Sequence, residues 1–393
     1  MVRTERDVIV IGAGPAGSIC AAYMAKAGID VLLLDKEIFP RDKVCGDILQ
    51  EGIVAHVDAL GAFDELDRTG TCIRSLRLVS SNGDIAHLPF ECYCTPRYRF
   101  DELMVKTAVK HDAEFRQGCR VVDMIVEKGT VCGVRVKWRG EETELRCRVV
   151  IGADGAYSQT AGLLGVMKER PCGMLFGQRA YFRGVKLDRS FSRGQYNTYG
   201  VFSFDAGLKP GYFWAVPCGA KGAADGFCNV GMIVRDRELI KPDDFQLRFN
   251  KWKTGTGEIG RMFADAQQVS PWKAGKLCDT DQQIRNIGNG FIIIGDAGAQ
   301  MLPLYNDGLS AAANSAKAAA AAAIEAIDSD DVSGGLLTSA FDNAAGGFRI
   351  TADEAKERRL MQESMYDQTT MNNVIARISG DPVYRGRVAK KII

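Results

Sequence analysis

Three features of the sequence predict an α/β fold joined to an antiparallel β-sheet domain and a helical C-terminal tail. The stretch DVIVIGAGPAGSICAAYMAKAGIDVLLLDK reads as an apolar strand, a glycine turn, a small-residue helix and a second apolar strand ending in an acid. Two later segments, VVIGADG and FIIIGDAG, are again buried strands that end on glycine and aspartate. Between them, GQYNTYGVFSFDAG and GYFWAVP carry aromatic residues with the alternation of strands.

Composition narrows the class. The 393 residues, 46% hydrophobic and 25% charged, suffice for a full core divided into two or three domains. With 50 basic against 49 acidic residues, nothing suggests a nucleic-acid partner. MVRTERDVIVIGAG runs from charged residues straight into a strand, without a secretory signal, so a cytoplasmic location is expected. The run SAAANSAKAAAAAAIEAI is alanine broken by Asn314 and Lys317, and it reads as a close-packed helix rather than a membrane span. Twelve scattered cysteines with no CxxC pair, and only His56, His87 and His111, predict no metal site. An iron–sulfur cluster is equally unexpected, because the C-terminal third holds only Cys278. Most cysteines read as small buried hydrophobes. Cys45, in FPRDKVCGDIL shortly after the first strand–helix–strand unit, needs a separate account.

In the first unit, Gly12 permits a tight turn, Gly14 lets a pyrophosphate approach the backbone, and Gly17 lets helix and strand pack closely. Pro15 and Ala16 open the helix, and Asp35, followed by Lys36, ends the second strand, where a carboxylate can accept from ribose hydroxyls. This predicts a dinucleotide and leaves FAD and NAD open. The segments 149–165 and 289–320 decide for FAD: Asp154 and Asp296 end buried strands, Gly295 precedes the second acid, and Pro303 and Gly308 lead into a long helix. An acid held at a strand end can bind ribityl hydroxyls, and the following helix N-terminus can set positive dipole near the flavin pyrimidine.

These three segments, in this order, resemble the glutathione-reductase-like flavoproteins of the para-hydroxybenzoate hydroxylase type, which implies an FAD-binding Rossmann domain. Within that superfamily FPRDKVCGDIL is similar to the KxCGxG segment of geranylgeranyl reductases, which hydrogenate isoprenoid double bonds with reduced FAD. TPRYRFDELMVKTA resembles their RxxFDxxL helix start, and PGYFWAVPCGAKGAADGFCNVGM their GYxWxFP…NVG strands. Two departures stand out: Ile48 occupies the last glycine of the first motif, and LYNDG replaces a glycine-rich turn, where Asn306 and Asp307 can tolerate left-handed backbone.

The resemblance implies that Cys45 and Gly46 lie beside the isoalloxazine, with Tyr212 and Trp214 over it. It also implies that Arg41, Arg97, Val121 and Leu309 border the cofactor, Arg97 through phosphate or ribityl oxygens. Reducing an alkene takes a hydride from the flavin and a proton from a second group or water. Cys45 either donates that proton, helped by Arg41 and Lys43 if they turn inward, or packs against the ring. Tyr196, Tyr199, Phe202, Phe204 and Phe213 join Tyr212 and Trp214 as candidates for an apolar tunnel or for ordinary sheet core. The implied substrate is small and apolar, isoprenoid-like, and the electron donor is NAD(P)H or ferredoxin. Alternative functions are an NAD(P)H-dependent aromatic monooxygenase and an electron-transfer flavoprotein; a halogenase would want a second tryptophan in GYFWAVP.

The expected FAD domain is discontinuous, 1–70, 96–170 and 276–328, and includes a three-stranded meander ahead of the central acid strand. Residues 71–95 and 171–275 form the substrate domain, and 329–393 a helical region with Met361, Met365 and Met371 on its apolar face. That tail reads as a helix docked on the FAD domain, with a tunnel cap or peripheral membrane contact as the other options.

Overall fold

The computed structural model describes residues 4–166, 174–187, 190–192, 195–197, 199–204, 211–219, 227–234, 242–254, 257–278, 286–300, 307–346 and 368–392. In chain order the first half comprises β1 (Glu5–Ile11), α1 (Pro15–Lys26), β2 (Val31–Asp35), β3 (Ile48–Leu49), α2 (Glu51–Ala59), α3 (Phe63–Thr69), β4 (Thr71–Val79) and β5 (Ile85–Cys94). It continues with α4 (Arg97–Lys110), β6 (Glu114–Gln117), β7 (Cys119–Glu127), β8 (Thr130–Trp138), β9 (Glu141–Gly152), α5 (Gln159–Leu163) and β10 (Met174–Arg183). The second half holds β11 (Ser190–Ser192), β12 (Gln195–Asn197), β13 (Tyr199–Ser203), β14 (Gly211–Pro217), β15 (Cys228–Val234), α6 (Pro242–Lys253) and α7 (Glu258–Phe263). Then come β16 (Gln267–Gln268), β17 (Lys273–Cys278), β18 (Ile287–Gly288), β19 (Phe291–Ile293), α8 (Gly308–Asp328), α9 (Gly334–Ala345), α10 (Gln368–Gly380) and α11 (Pro382–Ile392).

The first sheet runs β18-β19-β9-β1-β2-β6, with β1, β2, β6, the end of β9 and β19 parallel. Both faces of β1 are covered over its second half, which is why VIVI there is an unbroken apolar run. Side chains alternate across it: Val8 and Val10 meet a helical layer of α1, α4 and α8, while Ile9 and Ile11 meet the meander β7–β9. All the alanines of α8 but Ala321 are buried in the helical layer, the close packing expected of that run. Among the described residues no helix is long and apolar enough to cross a membrane.

The second sheet runs β16-β10-β15-β14-β13-β4-β5-β3, antiparallel except where β13 pairs β4. The aromatic alternation resolves by parity. Tyr199 and Phe213 enter a core with Phe182, Phe249 and Phe263, covered by α6 and α7. Phe202, Phe204, Tyr212 and Trp214 point to the opposite face. There the tail departs from its expected place: α9 packs on α8, but α10 lies on β5 of the second sheet, with Met371, Ile375 and Ile378 buried against it. Amphipathicity required α10 to cover some apolar surface, and the second sheet had one uncovered face. Met361, Met365 and the Tyr196 side chain lie outside the described residues.

Candidate functional site

The segment between β2 and β3 crosses from the first sheet to the second, and it is held at nearly every residue. Asp101 in α4 accepts from Arg41 at 2.7 Å. Arg179 of β10, wholly buried, donates to the Asp42 carboxylate and to the Lys43 carbonyl at 3.2 Å. Lys43 Nζ reaches Asp296 Oδ2 at 3.2 Å and so ties this segment to the turn after β19. Asn229 Nδ2 donates to the Cys45 carbonyl at 2.8 Å, while its Oδ1 accepts from Trp214 Nε1 at 2.8 Å. Asp47 adopts φ +63° and receives the Tyr181 hydroxyl at 2.6 Å. These contacts come from residues distant in sequence, so the loop is rigid only in the folded chain.

Arg41 and Lys43 are thus engaged by carboxylates rather than by the Cys45 thiol. The cation coupled electrostatically to the thiol is Arg97, 2% exposed at the start of α4 and paired to Asp101 at 2.7 Å. The ion pair that a surface arginine would make with Asp101 therefore exists, but buried. Its desolvation is offset by the carboxylate and the fork of guanidinium donors.

A cavity of about 1320 Å³ runs past this loop. Gly12, Gly14, Pro15, Ala16, Asp35, Lys36, Arg41, Cys45, Gly46, Arg97, Val121, Asp154, Asp296, Gly308 and Leu309 line it, as do Tyr212 and Trp214. Gly17 and Gly295 do not. Gly17 faces the Gly12 carbonyl, and Gly295 (φ +61°) turns its N–H to Gln300 Oε1 at 3.0 Å. Both serve the cradle through packing, not contact. Pro303 and Asn306 lie outside the described residues. Asp307 is not left-handed, at φ −78°; it caps α8 by accepting from Ser310 N–H at 2.9 Å. Its carboxylate offsets part of the positive dipole expected at that N-terminus.

The residues fit a dinucleotide. α1 starts at Gly14 with no side-chain cap, so its first-turn N–H groups face the cavity wall beside Arg41, an arrangement suited to a pyrophosphate. Asp35 already accepts from Ala13 and Glu37 N–H at 2.8 Å, which fixes its carboxylate for ribose hydroxyls. Asp154 is likewise fixed by Ser158, Gln159 and Thr160. Pockets for one small ligand span roughly 300–1,000 Å³. This one has room for a second molecule, and its far arm is apolar: Leu76, Leu78, Leu88, Phe90, Phe202 and Ile233 from the sheet, with Met371, Val374 and Ile378 from α10. The tail therefore forms one wall of this arm.

The FAD binding domain family matches residues 5–179. Digeranylgeranylglycerophospholipid reductase 2 of Methanopyrus kandleri is 30% identical over 404 residues, 99% of this chain and 96% of that protein. The chain belongs to the geranylgeranyl reductase family. It is an FAD-dependent oxidoreductase of that family. The fold agrees: a geranylgeranyl bacteriochlorophyll reductase-like protein of Thermoplasma acidophilum superposes with TM-score 0.82 at 21% identity, over 96% of this chain and 92% of that one. A flavin-dependent brominase shares the fold at TM-score 0.72 and 23% identity, over 99% of both chains.

Sequence reading of this reductase missed Arg179, Tyr181, Asn229 and Asp47. A signal existed for the first: Gln178 and Arg179 interrupt the apolar strand MLFGQRAYFR, and a charge there must find a buried partner. Burial pushes the Asp47 carboxyl up from 3.8 to about 6, against the pull of Arg179 and Tyr181. A raised carboxyl pKa contributes stability in full below the unfolded value and loses it as pH climbs through the folded one. About two pKa units correspond to about 3 kcal/mol lost between pH 4 and 7. Asp47→Asn should thus gain on the wild type over that window in melting temperature; parallel pH curves would show that the carboxyl does not titrate in this way.

Proposed function

We propose that this reductase saturates carbon–carbon double bonds of an isoprenoid lipid, and that Cys45 stands at the reacting centre. The observation that carries the reading is the continuity of one cavity, from the dinucleotide cradle past Cys45 into an apolar arm walled by α10. A relative 30% identical over nearly the whole chain is named for digeranylgeranylglycerophospholipid. A substrate this insoluble would be met at a membrane surface, which peripheral contact of the tail would serve.

Bound FAD, when reduced, supplies a hydride. The chain supplies the rest. Asn229 holds the Cys45 backbone and the Trp214 indole in one hydrogen-bonded unit, so thiol and aromatic wall keep a fixed spacing. Leu76, Phe90 and Phe202 orient an alkene and keep water out. The Cys45 Sγ proton passes to one carbon of the double bond, which leaves its neighbour electron-deficient and open to the hydride, and the thiolate, facing Arg97, is reprotonated from solvent. One hydride and one proton make the added pair of hydrogens.

Anaerobic incubation of dithionite-reduced protein with geranylgeranyl-chain lipids should give products heavier by two hydrogens per bond reduced, read by mass spectrometry. Unchanged lipid, with rapid oxygen consumption on adding NAD(P)H and an aromatic acceptor, would instead show a monooxygenase. Bleaching by NADH or NADPH, or only by reduced ferredoxin, assigns the electron donor. Cys45→Ala should keep its full flavin content and lose roughly 100-fold or more in turnover, the usual worth of a positioned proton donor. Unaltered turnover would remove Cys45 from the chemistry and leave it a packing role.

A further inference from the structure

The apolar arm of the cavity ends at α10 and α11, and two arginines stand there. Arg377 and Arg387 both line the cavity and are both exposed, so they mark the place where it opens to solvent. Behind them the wall is apolar, with Met371, Val374, Ile378 and Val388. Residues 368–393 carry five basic side chains and one acid, in a chain whose net charge is +1 overall. That single acid, Asp381, lies 3.9 Å from Arg377 Nε, too far for a strong pair, while the Arg377 guanidinium sits 4.1 Å over the Tyr384 ring. The stack holds one face of Arg377 against the Tyr384 ring.

We infer that Arg377 and Arg387 form a phosphate-binding subsite at the mouth of the apolar arm, which takes the phosphate of an isoprenoid-bearing substrate while the chain extends inward toward Cys45. Planar guanidinium donors suit phosphate oxygens, and a site at the solvent edge spares the charge the cost of burial. The inference rests on the isoprenoid reading and adds a direction to it: the charged end stays outside, and the double bonds enter.

The test uses the full-length FAD-bound protein and equilibrium binding, read from the flavin spectrum or tryptophan fluorescence. The probes are geranylgeraniol, geranylgeranyl diphosphate and a digeranylgeranyl glycerophosphodiester. The wild type should bind a phosphate-bearing probe roughly tenfold or more tightly than geranylgeraniol at low salt, an advantage that shrinks as salt rises. Arg377→Gln with Arg387→Gln should erase that advantage and leave geranylgeraniol binding unchanged; the paired lysine variants, which keep the charge, should retain most of it and control for folding. An advantage for the diester assigns a lipid head group, and one confined to the diphosphate assigns a prenyl diphosphate. Equal affinity for alcohol and phosphate probes in the wild type, or an advantage that survives both glutamines, overturns the subsite. No binding of any of the three probes would overturn the isoprenoid reading as well, so the two failures are distinct.

Discussion

Gly17→Ala is expected to leave the purified chain without flavin. A Cβ at residue 17 would lie 1.8 Å from the Gly12 carbonyl oxygen and 3.0 Å from its carbon, both backbone atoms that no rotamer change can move aside. α1 must then back away from the turn after β1. Gly12 cannot yield in the other direction, because it sits at φ +98° with the Ala153 carbonyl 2.5 Å from where its own Cβ would stand. The displacement takes the uncapped N-terminus of α1 off the pyrophosphate position, and the binding energy of its N–H groups goes with it. A loss of roughly 100-fold in FAD affinity, about 3 kcal/mol, is expected. Flavin absorbance per protein in the purified sample, followed by titration with FAD, measures it. A yellow Gly17→Ala protein with wild-type flavin content would show that the close helix–strand approach does not position the cofactor.

Arg179→Leu should be the most destabilising single change on the second sheet, at about 3–5 kcal/mol. The leucine fits the strand, but Asp42 loses its buried guanidinium, leaving only Lys273 at 2.8 Å on its solvent side. Asp42 owes its lowered pKa, achieved despite burial, to hydrogen bonds from Lys273 and Arg179. The Lys43 carbonyl loses a donor, and the stack of Arg179 on Tyr181, 4.3 Å from guanidinium to ring centre, disappears beneath Asp47. Because the same arginine holds residues 42 and 43, turnover should fall together with stability. Chemical denaturation gives the first quantity and lipid reduction the second. A variant within 1 kcal/mol of the wild type would mean that the loop is held by Asn229 and Asp101 alone.

The dinucleotide cradle could be read in the chain because its determinants are local: a glycine turn, a helix start and a strand-end acid lie within one short stretch, and backbone sterics alone decide their geometry. The alternation of aromatics was legible for the same reason, a period of two along β13 and β14. Which parity faced the cavity was not, since the pattern is symmetric until a partner covers one face: α6 and α7 took Tyr199 and Phe213, leaving Phe202 and Trp214 to the cavity. Arg97 shows the limit from another side. Its motif placed it near the cofactor, yet its coupling to the Cys45 thiol depends on α4 docking under a loop more than fifty residues earlier.

The sequence by itself determined that two apolar sheets form, that one carries an FAD cradle, and that a cysteine–glycine pair interrupts the connection between them. Tertiary structure alone decided what surrounds that cysteine. Asn229, Arg179 and Tyr181 come from strands of the second sheet, and α10 walls the arm only because one sheet face had no other cover. Local propensity and periodicity act over a few residues, whereas Asn229 and the Cys45 carbonyl it holds are 184 positions apart. Burial selects among such pairings only once both sheets exist.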